Sequence, residues 1–411
     1  MKLQNNRFCI AGIPVEDIAN RYDTPLYVYH TDTIVRQYRK MEAAFKNVKS
    51  RICYACKALT NINILKLMRE LGAGLDTVSI YEVETGLRAG FNPEEIIFTP
   101  NGVGMDEIQK AVELGVHVNI DNIPTLERFG HKYSGKYPVC LRLNPHIMAG
   151  GHYQISTGHI DSKFGISVHQ LRHVERIVKS TGIHVNGLHM HTGSEIMDAG
   201  VFLRGVEILL EATQYFKKLA FIDLGSGFKV PYSTEDNSTD MVTLGNELTA
   251  RFRNFFSEYG KEVELWFEPG KFLVSEAGIF LVKVNVVKQT TATVFALVNS
   301  GFNHLIRPMF YDAYHHIINI SNPKGVPRIY TVAGNICETD TFAWDRKIAE
   351  IREGDLLAIM NAGAYGYEMA MNYNSRPRPA EVMVYKGKDY LIRKRETLDD
   401  LLRNQVEPVI L

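Results

Sequence analysis

The chain has 411 residues, 45% of them hydrophobic, and 46 Lys+Arg balance 46 Asp+Glu. That length allows two domains, and a formal net charge of zero speaks against a nucleic-acid or anionic-membrane partner, either of which would favour a basic surface. No apolar run approaches the about 18 residues that a membrane span needs, and the opening MKLQNNRFCI lacks a signal-peptide core, so a cytoplasmic protein is expected.

In chain order, TPLYVYH (24–30) reads as a strand that precedes the main pattern and can join a later β region. From about residue 50 to 270 strands and helices then alternate. The predicted strands are 51–58, 73–79, 95–100, 116–121, 138–145, 185–191, 221–227 and 264–270. Between them lie amphipathic segments such as INILKLMRELG, IYEVETGLRAG and MDEIQKAVELG, several ending in the glycine expected after a helix C-terminus. Eight strands alternating with helices predict an α/β fold, a (β/α)8 TIM barrel over 31–275. A doubly wound open sheet is the rival, but no G-x-G-x-x-G follows the first strand. After residue 275, runs such as GIFLVKVNVVKQT and AEVMVYKGKDYLIRKRE alternate with period two. They predict a second, all-β barrel-like domain formed by 1–30 plus 276–411. The five cysteines, Cys9, Cys53, Cys56, Cys140 and Cys337, are odd in number and widely spaced, so free thiols in a reducing compartment are expected. Cys53 and Cys56 form a C-x-x-C inside a strand pattern, which reads as core packing, because a redox pair normally opens a helix.

Barrel chemistry gathers at the C-terminal ends of the strands. Here those ends carry Lys57, Asp76, Arg142 with Asn144, His191 with Ser194, the turn Gly225-Ser226-Gly227, and Glu268 with Gly270 and Lys271. Each has an ordinary reading: a solvated lysine, a packed H-x-H, a simple turn, a strand stopped by proline. Their joint placement on one rim suits pyridoxal 5'-phosphate. That cofactor needs an amine to hold its aldehyde, backbone N–H groups around its phosphate, an acid beside its ring nitrogen and a flat group against its face. Asp76 either orients Lys57 or caps the helix that starts near Ser79, and Arg142 either bonds the cofactor or pairs with a barrel carboxylate. His146, His152 and His159 fall in a long Gly-rich loop whose length suits a lid. They read as surface histidines, and no metal is expected.

With YACKA, HMHTGSE, DLGSGF, EPGK, RPMFYDAYH, CETD and GAYGYEMAMNYNSRPR in place, the chain resembles the barrel-fold (fold type III) pyridoxal-phosphate decarboxylases of basic amino acids, their diaminopimelate-acting branch above all. The resemblance runs over almost the whole chain. It implies that Lys57 holds the cofactor aldehyde, His191 stacks on the ring and Glu268 pairs with the ring nitrogen. It implies that Ser194, Gly225, Ser226, Gly227, Gly270 and Tyr365 bind the phosphate. Arg307 and Tyr311 would hold a substrate carboxylate, Glu338 a substrate amine, and Cys337 would reprotonate the carbon left by CO2. It implies a homodimer with shared active sites, and a reaction that takes meso-2,6-diaminopimelate to L-lysine, the last step of lysine biosynthesis. The chain departs from the pattern where the family's arginine is Lys271, which keeps the charge but loses the bidentate fork. Ser226 and a threonine in CETD are smaller changes.

Other functions fit less well. A decarboxylase of ornithine, lysine, arginine or a carboxylated polyamine would more naturally place an acid against the distal amine than Arg307 and Lys271. A racemase of this fold would set an arginine, not Glu268, against the ring nitrogen. A non-catalytic regulatory homologue would have lost Lys57 or Cys337, and both are present.

Overall fold

The computed structural model describes residues 1–147, 162–193, 199–233 and 235–408. Its chain contacts separate two compact units, one of 36–231 with 237–273, the other of 1–35, 232–236 and 274–411.

The first unit is the barrel. Eight parallel strands close on themselves: β1 (Ser50–Ala55), β2 (Gly74–Thr77), β3 (Ile96–Phe98), β4 (His117–Ile120), β5 (Val139–Asn144), β6 (Val185–Met190), β7 (Phe221–Asp223) and β8 (Glu264–Phe267). Closure is made by β8 pairing with β1, Trp266 opposite Arg51 and Phe267 opposite Ile52. Strands covered on both faces need near-continuous burial, and β5 and β6 are buried along their whole length. The intervening helices stop where the sequence marks it. Asn61, Ser79, Asn122 and Asp240 accept N-terminal amide protons with their side chains. Gly90, Gly182 and Gly260 follow three helix ends in the left-handed conformation at φ +97°, +73° and +82°. Ser79 thus supplies its own cap, and Asp76 is released for another role.

The barrel interior changes character over two residues. Cys53, Ile97, Cys140 and Phe221 come from the alternate strands β1, β3, β5 and β7 and pack with Trp266 of β8 as one buried cluster, the layering expected of a filled barrel. Phe221 and Trp266 stack at 3.8 Å between centroids. Side chains two apart on a strand share a face. The next residues on those rows are therefore Arg142 after Cys140, Asp223 after Phe221 and Glu268 after Trp266, all buried. An apolar floor carries a polar ceiling at the C-terminal rim.

Two sequence readings need correction here. β1 ends at Ala55, and Cys56–Ala58 form a 3-10 turn. Lys57 therefore leaves the rim on a turn instead of ending a strand, and Cys56 lies beyond the strand. Both thiols of the C-x-x-C are free and fully buried.

The second unit is a branched, mostly antiparallel sheet built on the long strand Gly278–Gln289. Leu26–His30 joins it, antiparallel to that strand and parallel to Ala380–Tyr385.

One packing contact is tight enough to test. In the barrel unit, a β-carbon on Gly245, inside the helix Met241–Tyr259, would meet the Ala44 carbonyl oxygen at 2.2 Å and its carbon at 2.8 Å. Backbone cannot swing aside as a side chain can. Gly245→Ala should cost about 1–3 kcal/mol, read as a lower thermal unfolding midpoint, while a surface Ala substitution elsewhere on that helix should leave the midpoint in place.

Candidate active site

On the barrel rim the Lys57 ammonium is bonded to the Oδ2 of Asp76, a neighbour fixed by the pairing of Ala55 with Asp76 across β1 and β2. Asp76 is fully buried, and its Oδ1 has no partner among the described residues. Burial and the nearby charge of Glu268 push its carboxyl up to about 7, with Lys57 opposing. Of its two sequence readings, the lysine partner is the one realised.

Glu268 belongs to the same cluster. His189 Nε2 stands 3.0 Å from Glu268 Oε2. Burial drives the His189 ring toward its neutral form, and its Nδ1 lacks a partner among the described residues. The ring therefore donates through Nε2–H. Burial by itself would raise the Glu268 carboxyl, but the bond from His189 and then the Lys57 charge outweigh it and hold the group well below the ordinary carboxylate range. Asp223 is the converse case. Burial first and the Glu268 charge second lift it well above that range, so of two neighbouring acids Asp223 keeps the proton and Glu268 the charge. His189, Asp223 and Glu268 each bring one donor atom within 4.8 Å of the others, a set that by type and spacing could also hold a metal ion.

The glycine turn is held from below. Gly225 N donates to Asp223 Oδ1 at 2.8 Å, Glu268 N donates to Gly225 O at 2.7 Å, and Ser226 N donates to His191 Nδ1 at 3.3 Å. His191 Nδ1 accepts, so it carries no proton; burial and then Arg142 lower that ring to about 3. Gly225 sits at φ +62°, and a β-carbon there would lie 2.4 Å from Met190 O. Arg142 is buried with its guanidinium 4.8 Å from the centre of the Phe164 ring. Lys271 opens the short helix Lys271–Val274 directly after Gly270. His146 bonds Ser167 Oγ at 2.7 Å and stacks on His169. Ser194, His152 and His159 lie outside the described residues.

The remaining predicted residues belong to the sheet unit. Arg307 is buried on the five-residue helix Arg307–Tyr311, between the rings of Tyr232 and Tyr311, each 5.7 Å from its guanidinium carbon. Its Nε has no partner among the described residues. Tyr365 takes a left-handed backbone at φ +55°. Cys337 and Glu338 are exposed on the loop 334–340, which Asp340 pins by accepting from Phe302 N at 2.5 Å and Ile336 N at 3.3 Å.

Residues 31–275 match the family described as "Pyridoxal-dependent decarboxylase, pyridoxal binding domain". The diaminopimelate decarboxylase of Methanothermobacter thermautotrophicus is 41% identical, the match covering 97% of this chain and 95% of that protein. The chain belongs to the diaminopimelate decarboxylase family. Two solved family members carry L-lysine. The M. jannaschii enzyme superimposes with a TM-score of 0.90 at 31% identity, covering 99% of this chain and 98% of the other. The Helicobacter pylori enzyme gives 0.87 at 32%, covering 95% and 98%.

The cofactor of the family is pyridoxal phosphate, and the rim residues fit it. An ionised Glu268 presents a buried Oε1 with no partner among the described residues, as a ring nitrogen that must stay protonated requires. The turn at Gly225 leaves no room for a β-carbon, as a backbone cradle for phosphate requires. Lys57 supplies the amine. Two members of the set, His189, read from sequence as part of a packed H-x-H, and Asp223, were given no role in the sequence reading, each showing there only as a polar residue within a strand.

Gly225→Ala tests the cradle. Forcing a side chain into left-handed backbone and against Met190 O should weaken cofactor binding by about tenfold or more, read by absorbance titration of the cofactor-free protein.

Proposed function

We propose that this chain decarboxylates meso-2,6-diaminopimelate at its D-centre, giving L-lysine and CO2. The observation that carries the reading is the buried Glu268 paired with His189 at 3.0 Å beside Asp223, an arrangement that favours the charge on Glu268 and the proton on Asp223. When bound, pyridoxal phosphate supplies a protonated ring that accepts the electron pair of the breaking C–C bond. The rest is the work of this chain's own groups.

Lys57 would hold the cofactor through its amine, and Asp76, whose buried carboxyl is pushed up to about 7 and is bonded to that amine, is placed to take up the proton Lys57 must lose. Glu268 would keep the ring nitrogen of a bound cofactor protonated, the role that its retained charge suits. His191, neutral, offers a flat face for stacking. Gly225 N is already committed to Asp223, so phosphate falls to Ser226 and Gly227, with Ser194, Gly270 and Tyr365. The 3.3 Å bond from Ser226 N to His191 is long enough to exchange for a charged acceptor.

Arg307 and Tyr311, with Lys271, are proposed to hold the distal carboxylate. The unpartnered Nε of Arg307 supports this, because a buried guanidinium N–H seeks an acceptor. Glu338 takes the distal amine, and Cys337 Sγ hands its proton to the carbon that CO2 has left. Both residues are exposed in the single chain, and they are proposed to reach the barrel site across a homodimer interface. No helix among the described residues is long and apolar enough to cross a membrane, and the five free thiols support a cytoplasmic location.

Incubation with meso-diaminopimelate and pyridoxal phosphate should release CO2 and L-lysine in equal amounts, and ornithine should yield far less product. Lys57→Ala should lose both turnover and the yellow colour. Glu268→Gln, which keeps the shape but not the charge, should bind the cofactor yet lower kcat by about 100-fold or more. Ornithine turnover above diaminopimelate turnover would overturn the substrate.

A further inference from the structure

The loop bearing Cys337 and the segment 372–376 are stitched together inside the sheet unit. Asn374 grips Cys337 twice: its Oδ1 accepts from the Cys337 backbone N at 3.0 Å, and its Nδ2 donates to Cys337 Sγ at 3.1 Å. Tyr373 spans the two exposed residues. Its hydroxyl donates to Glu338 Oε1 at 2.9 Å and lies 3.7 Å from Cys337 Sγ. The Phe302 ring stacks on Tyr373 at 5.9 Å, and Arg376 Nη2 donates to Asn335 O at 2.9 Å. Asn374 and Ser375 both hold left-handed backbone, at φ +58° and +54°. Outside glycine that region favours asparagine, so position 374 is suited to a residue that can supply an amide there. Two unusual backbone conformations in a row, spent on placing one amide against one sulfur, make a built arrangement.

We propose that Asn374 and Tyr373 are positioning residues for Cys337, the amide clamping its backbone and sulfur and the phenol tying that sulfur to Glu338, so that the thiol is aimed and the thiolate left after proton transfer is stabilised. The inference rests on the reading of Cys337 as the proton donor. The proton moves from Sγ to the substrate carbon, whose electron pair forms the new C–H bond. Sulfur keeps its own pair as thiolate and recovers a proton from water. The Asn374 amide donates to the sulfur, and the Tyr373 hydroxyl, 3.7 Å away, can turn its single proton from Glu338 to the sulfur once the thiolate forms, so both stabilise that anion. They also lower the thiol from its ordinary value, Asn374 first and Tyr373 second, while the Glu338 charge opposes them. The groups facing the sulfur are therefore Asn374, Tyr373 and Glu338, with Arg376 held one step away on the Asn335 carbonyl. A stronger acid delivers its proton to carbon faster.

The test is the pH dependence of Cys337 alkylation by iodoacetamide in the holoenzyme, located by peptide mass spectrometry, with the four buried cysteines as unreactive internal controls. Asn374→Gly removes the clamp and fits the left-handed backbone; Tyr373→Phe removes only the hydroxyl and decides the matter if the glycine variant fails to fold. The alkylation midpoint should move upward by about half to one pH unit in each variant. The thiol-dependent limb of the kcat–pH profile should move with it. KM should stay near the parent value in Asn374→Gly and rise in Tyr373→Phe, whose hydroxyl also orients Glu338. An unchanged midpoint in a folded variant overturns the proposal, whatever happens to turnover. A shifted midpoint together with a Cys337→Ala variant that turns over at the parent rate would leave the clamp standing and remove Cys337 from the role of proton donor.

Discussion

The site depends on one buried negative charge. Removing a carboxylate from water costs several kcal/mol unless partners replace the lost solvent, and unpaired acids in such places take up protons instead. Asp76 and Asp223 do move in that direction, whereas Glu268 does not. The difference lies in its neighbours: a neutral imidazole donating at 3.0 Å, the Lys57 cation within the same cluster, and a second acid that absorbs the proton both would otherwise compete for. The barrel makes this affordable. Eight covered strands place an apolar floor of Phe221 and Trp266 one step beneath the acids, so water cannot screen them from below and the charge balance is settled by side chains alone.

The same constraint explains the order of the rim. Each polar group is held by another that has a reason to be there. Asp223 fixes the Gly225 amide, Gly225 O fixes the Glu268 amide, and His191 is locked into the tautomer that leaves Nδ1 free to accept from Ser226. A substitution at any one position thus reaches the rest through hydrogen bonds rather than through bulk packing, and its effects on binding and on rate will not add independently.

The sequence made the barrel legible because period-two and period-3.6 patterns alternate eight times, with glycine at helix ends such as Gly90 and Gly182. Lys57, Glu268 and the Gly225 turn were visible because strand ends are where a barrel keeps its chemistry. His189 and Asp223 were not, since a polar residue within a strand shows in one dimension only as a break in hydrophobicity, and its partner two strands away is fixed by register. Lys57 was placed on a strand when it rides a 3-10 turn, a boundary that apolar Ala55 and Cys56 do not mark. Asn374 escaped notice because its task depends on a left-handed backbone and on a cysteine 37 residues earlier.

The protonation of the cofactor's ring nitrogen tests this account most directly. With pyridoxal phosphate labelled with nitrogen-15 at that atom and bound to the enzyme, solid-state NMR at neutral pH should show a protonated pyridinium in the parent protein and its loss in Glu268→Gln. An unprotonated ring nitrogen in the parent protein would contradict it, for Glu268 would then not be the anion that the rest of the rim is arranged to sustain.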